Sequence, residues 1–181
     1  MRNLIGIAIV LGLCVAPAYA DKPEAKRQKI DNMAKLTLEN LFEQEPIAKK
    51  YHDKAYGYAV LDNVKVALVI SGGGGQGVAV EKSTEDRTYL RMGTAGINVG
   101  LGAQKYQIVF FFESEKRFKK FLNKGWIADI NANAVAGTNG VNAEATFHDG
   151  VAFYQITDVG LMLQADVAGT KYWKNKKLNK K

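Results

Sequence analysis

The chain has 181 residues, 47% of them apolar and 24% charged, a balance that suits one domain with a sizeable core and excludes wholesale disorder or two independent domains. Its formal charge of +7 is concentrated rather than spread: six lysines fall within residues 171–181, while residues 21–170 hold 18 basic and 18 acidic side chains. A nucleic-acid domain gathers cations on its folded body, so no nucleic-acid partner is expected.

Residues 1–20 read as an export signal. Arg2 supplies the positive start, residues 4–15 the apolar run, and Ala18-Tyr19-Ala20 the small-x-small cleavage pattern, which places cleavage after Ala20 and the mature chain in the periplasm or outside the cell. As a helix the run spans about 18 Å, short of the ~30 Å hydrocarbon core, which argues against a permanent anchor. Leu11-Gly12-Leu13-Cys14 offers a lipoprotein alternative, but the bulky Leu13 stands where such signals carry a small residue. Cys14 is the one cysteine, so a mature chain cut after Ala20 has no thiol chemistry.

Residues 21–54 read as an N-terminal helical segment. Ile30, Met33, Ala34, Leu38, Leu41 and Phe42 recur at spacings of three and four, which lines them along one side of a helix that Pro46 ends or interrupts. Asp31, Lys35, Glu39 and Glu43 form its solvated side.

From residue 55 onward the pattern changes to short β-branched and aromatic runs. Residues 58–61 and 64–70 read as strands joined by a hairpin turn at Asp62-Asn63. The run Gly72 to Gly77 reads as a hairpin or bulge rather than a phosphate loop, because it lacks the lysine-serine/threonine ending. Strands follow at 78–81, 88–92 and 107–112, the last an almost continuous apolar run that suits a central strand. Next, Ser114 caps a short helix whose stripe of Phe118, Phe121 and Leu122 stops at Gly125. Strict alternation resumes over residues 130–136 and 141–147 around Asn139-Gly140, a strong hairpin signal, and Asp149-Gly150 makes a second such turn. Strands 151–156 and 161–167 finish the domain. The expected class is α+β and mostly antiparallel β: a curved meander or barrel-like sheet with an N-terminal helix and one short mid-chain helix. A β-rich domain at 55–173 is followed by a lysine-rich, solvated tail at 174–181.

No catalytic set emerges. His52 and His148 lie in separate segments without ligand spacing, Ser71, Ser83 and Ser114 sit in no nucleophile context, and Gly96, Gly100 and Gly102 fall among strand residues. The reading is therefore a non-enzyme with no metal and no cofactor. Lys116, Lys120 and Lys124 recur every four residues with Arg117 beside them, opposite Phe118 and Phe121. This basic ridge is either a solvated helix face or a dock for an anionic surface, and Lys174, Lys176 and Lys177 of the tail extend the candidate lipid- or anion-binding set.

Three glycine-bearing blocks, Ala55-Tyr56-Gly57-Tyr58-Ala59-Val60, Gly72 to Gly77 with Val78, and Gly96-Ile97-Asn98-Val99-Gly100, resemble successive blocks of the SYLF-domain family. Ile108-Val109-Phe110-Phe111-Phe112, Val159-Gly160-Leu161-Met162-Leu163 and Val167-Ala168-Gly169 continue in the same order, so the resemblance covers residues 47–173. It implies a mostly β domain that binds membrane lipid, with no catalytic residues to carry over. The expected partner is an anionic lipid or membrane surface, with a protein of the cell envelope as the alternative.

Overall fold

The computed structural model describes residues 23–67, 70–97, 102–125, 147–157, 160–162 and 170–180. Three helices and one seven-stranded antiparallel sheet make up this part of the chain, which bears out the α+β class. Helix α1 (Pro23–Gln44) and helix α2 (Pro46–Lys54) precede strands β1 (Gly57–Ala67), β2 (Ile70–Glu81), β3 (Arg87–Ile97) and β4 (Gly102–Phe112). Helix α3 (Glu115–Lys124), β5 (Val151–Thr157), β6 (Gly160–Met162) and β7 (Thr170–Lys174) follow. Pro46 thus ends one helix and opens another, since its missing N–H costs nothing in a first turn.

The sheet order is β6-β5-β4-β1-β2-β3-β7. Among the described residues β6 and β7 are its two edges, so the sheet does not close into a barrel. It is nonetheless strongly rolled: the Tyr172 ring of β7 lies 5.6 Å from the Phe110 ring of β4, although three strands intervene in the sheet.

Two expectations are corrected by the register. Asp62-Asn63 makes no turn, because β1 runs straight through it and pairs along its whole length with β2 on one side and β4 on the other. Asn63 is 1% exposed, and its polarity, taken as a turn signal, is buried instead. Gly72 to Gly77 likewise makes neither hairpin nor bulge; these residues pair in unbroken register with β1 and β3. The turn at Asp149-Gly150 holds, with φ of 50° and 71° and reciprocal backbone bonds between His148 and Val151 at 3.1 and 3.0 Å, as a two-residue hairpin of this hand requires. The alternating segments around Asn139-Gly140 lie outside the described residues, as does residues 1–22.

Apolar side chains divide between the two faces of the sheet. Ile30, Ala34, Leu38 and Leu41 of α1 with Ile47 and Tyr51 of α2 cover Val60, Val78, Tyr89, Val109, Phe111 and Tyr154. On the other face Phe118 and Phe121 of α3 cover Ala59, Ala79, Phe110, Phe112 and Phe153. Each strand therefore buries both of its alternating rows at this end, which explains the nearly continuous apolar run of β4.

His52, near the end of α2, sits edge-on to Phe42 and Phe111 and tilted against Tyr58. Burial, with Lys82 adding repulsion, holds its imidazole below the ordinary 6.5. The unfolded chain then binds the extra proton first, so this stabilisation is complete above about pH 6.5 and is lost as pH falls below it. Urea unfolding between about pH 7.5 and about pH 5 should show this decline, and His52→Phe should flatten it.

Candidate functional site

Helix α3 forms where the sequence places it because both ends are satisfied. The Ser114 side chain accepts from the Arg117 N–H, and Gly125 adopts φ 65° while its N–H donates to the Phe121 carbonyl. Phe121 packs 4.9 Å from Phe112 and 5.3 Å from Tyr172, and Phe118 5.6 Å from Phe112. These rings turn the opposite side of the helix to water.

The four cations of that helix do not act alike. Lys116 and Lys124 are exposed, whereas Lys120 and Arg117 are half-buried. Arg117 lies over Gly150 and reaches Asp149 at 3.9 Å, which ties it to the β5 hairpin rather than to the ridge. Neighbouring Lys119 pairs with Glu115.

Tertiary structure joins the ridge to the second lysine cluster. Tyr172 N–H donates to the Gly125 carbonyl at 2.8 Å, and Lys174 Nζ donates to Asn123 Oδ1 at 3.3 Å. Asn123, next to Lys124 in α3, thus holds Lys174 at the edge of the sheet. Beyond them residues 175–180 are not a free tail. Leu178 is 3% exposed within the core under α1, Arg27 Nε donates to its carbonyl at 2.9 Å, and the Asn179 amide both accepts from and donates to the Tyr89 backbone. The backbone is anchored while Lys176 and Lys177 remain exposed.

Between this turn, the start of α1 and the sheet edge lies a groove of about 530 Å³ lined by Pro23, Lys26, Arg91, Trp173, Lys174, Asn175, Lys176, Lys177 and Leu178. Five of the nine lining residues are cationic and none is acidic. Lys26, Arg91 and Trp173 were not legible as site residues, because they belong to three elements that only the Arg91 to Trp173 register and the docked turn bring together. A cationic groove of this kind attracts anions by field and by direct pairing. Among the described residues no group of three or more His, Cys, Asp or Glu side chains could hold a metal, and no helix is long and apolar enough to cross a membrane.

Comparison with known proteins matches residues 93–181 to the family model Ysc84, described as Las17-binding protein actin regulator. The chain is also 42% identical over 152 residues to Beta cell expansion factor A of Aeromonas veronii, an alignment that covers 84% of this chain and 58% of that protein. The chain therefore spans less than two thirds of the length of this curated relative.

Proposed function

With residues 93–181 similar to the Ysc84 (SYLF) family, we propose that the chain is an exported, non-catalytic binding module that docks peripherally on anionic membrane surfaces. The observation that carries this reading is the cationic margin that Lys174, Lys176 and Lys177 form with Lys26 and Arg91 around one edge of the sheet. Cations held at that edge by a rigid scaffold are each attracted to an acidic bilayer, and the attraction sums across the set. Exposed Lys116 adds to the same field from α3, while Arg117 contributes less because Asp149 lies beside it.

Co-sedimentation with vesicles tests the proposal. Binding to acidic vesicles is expected at about 0.1 M salt and is expected to weaken steeply at about 1 M, where the screening length falls from about 10 Å to about 3 Å. Neutral vesicles are expected to bind far less. Replacing Lys176 and Lys177 together by glutamine should weaken binding at low salt about 30-fold. An absence of acidic-vesicle binding at low salt removes the proposal.

The description of the matched family names binding of a protein, Las17, and this favours one second reading. An envelope protein with an acidic segment could occupy the same cationic margin. Recovery from an envelope fraction of one stoichiometric protein partner, together with an absence of vesicle binding, would support that reading over the first.

A further inference from the structure

Strand parity separates two regions on the face of the sheet that α1 and α2 cover. Near the helices this face carries Val60, Val78, Tyr89 and Val109, all buried. Two residues further along each strand the helices no longer cover it. The register places Gln107, Asp62, Gln76, Arg91 and Trp173 in one row across β4, β1, β2, β3 and β7. The next row is Lys105, Val64, Gly74, Gly93 and Lys171, and the third is Ala103, Val66, Gly72 and Ala95.

Small side chains leave little relief on this surface, and its larger apolar groups are open to water. Val64 is 40% exposed, Val66 48% and Trp173 41%. Of the large apolar side chains exposed among the described residues, only Leu36 on α1 lies elsewhere. The Trp173 ring lies against Gly93, where a Cβ would approach it to 3.1 Å, so one ring face rests on the sheet and the rest faces solvent. Arg91, Lys105 and Lys171 border the apolar centre, and the cationic groove adjoins it through Arg91 and Trp173. Asp62 is the one acid in these three rows.

We infer that this open sheet face is the surface that meets an anionic bilayer, with Val64, Val66 and Trp173 entering the interfacial layer and the bordering cations contacting headgroups. The inference rests on the proposed membrane docking and adds the orientation. An apolar centre with a cationic border complements an acidic bilayer, whose interface receives aromatic and aliphatic groups while its headgroups receive charge. Among the described residues the opposite face has no such centre, because Phe118 and Phe121 are spent inside the core. Helix α3 therefore attracts the membrane at a distance, and the open sheet face makes the contact.

The test uses the exported form, residues 21–181, with Trp126→Phe, which leaves Trp173 as its one tryptophan. Vesicles of equal phosphatidylglycerol and phosphatidylcholine are expected to shift Trp173 emission to the blue, and acyl chains brominated near the headgroup are expected to quench it. Val64→Asp with Val66→Asp, checked for retained fold by circular dichroism, should lower the binding that survives about 1 M salt by at least about 10-fold, since that residue of binding is apolar. If the protein sediments with acidic vesicles while Trp173 emission and the Val64/Val66 variant are unaffected, this orientation is wrong and the docking proposal stands. No sedimentation at all removes both. A concentration-dependent dimer that the double aspartate variant abolishes would assign the face to a second copy of the chain and overturn the inference.

Discussion

Gly75→Ala or Gly77→Ala is expected to destabilise the protein by about 3 kcal/mol each, whereas Gly72→Ala and Gly74→Ala should lie within about 0.5 kcal/mol of the parent. All four residues sit in one glycine run of β2, so composition does not distinguish them. Parity does. A Cβ on Gly77 would collide with the Val60 carbonyl and come within 2.7 Å of Leu61 Cα, and one on Gly75 would collide with the Asp62 carbonyl and come within 2.9 Å of Met92 Cγ. Gly73 is similarly confined by Val64 and Thr94. By contrast a Cβ on Gly72 meets nothing within 4 Å, and one on Gly74 meets only the Met92 carbonyl at 3.8 Å. The confined set faces the concave side of the rolled sheet, where it lets β2 close onto β1. Because the obstacle is backbone, side-chain repacking cannot relieve it. Urea unfolding of the four single variants decides the matter, and equal effects at the confined and open positions would refute this close approach of β2 to β1.

A second large effect is expected where the sequence suggests no structure at all. Leu178→Ala should cost about 2 to 3 kcal/mol, a value for a buried leucine and not for a solvated tail. Asn179→Ala should cost about 1 to 2 kcal/mol, because its amide completes the β3 edge beyond the end of β7 by pairing with both the N–H and the carbonyl of Tyr89 at 2.9 and 2.7 Å. The same tyrosine receives a further bond from the Asn175 N–H and donates its hydroxyl to Asp31 at 2.9 Å. Burial and the Asp31 carboxylate raise that hydroxyl to about 12, so it remains a donor throughout the physiological range. Thermal unfolding measures both costs. Retention of the parent midpoint in Leu178→Ala would mean that the C-terminal turn contributes nothing to the fold.

These two regions explain where the sequence misleads. Asp62-Asn63 and the glycine run carry the residue types of turns, yet neither turns, because pairing on both sides satisfies every backbone group along an extended strand. The lysines of residues 174–180 signal solvation correctly for their own side chains and incorrectly for the chain that bears them. A single leucine and two asparagines outweigh that composition once α1 and β3 supply a place to dock. Where local chemistry is self-sufficient the reading holds: Ser114 and Gly125 bound α3 as their capping roles require, and Asp149-Gly150 supplies the positive φ pair that a tight hairpin needs.

The candidate site divides in the same way. Lys116 and Lys124 were legible as outward cations from the polar side of the helical pattern, whereas Lys120 of the same four-residue repeat is half-buried. Arg117 was not separable from them, since Asp149 lies 32 positions away in the chain. Lys26, Arg91 and Trp173 carry no local signal. Each is an ordinary member of its own element, and only strand register and the docked C-terminal turn make them neighbours.

By itself, the sequence determined the α+β class, the antiparallel sheet, the caps of α3 and the outward direction of Lys116 and Lys124, because each follows from periodicity or from one residue's backbone preference. Tertiary structure decided the unbroken course of β1 and β2, the docking of the C-terminal turn, the assembly of the cationic groove and the open half of one sheet face. Those features depend on which strands lie side by side and how far the helices reach across them, and that information is distributed over residues far apart in the chain.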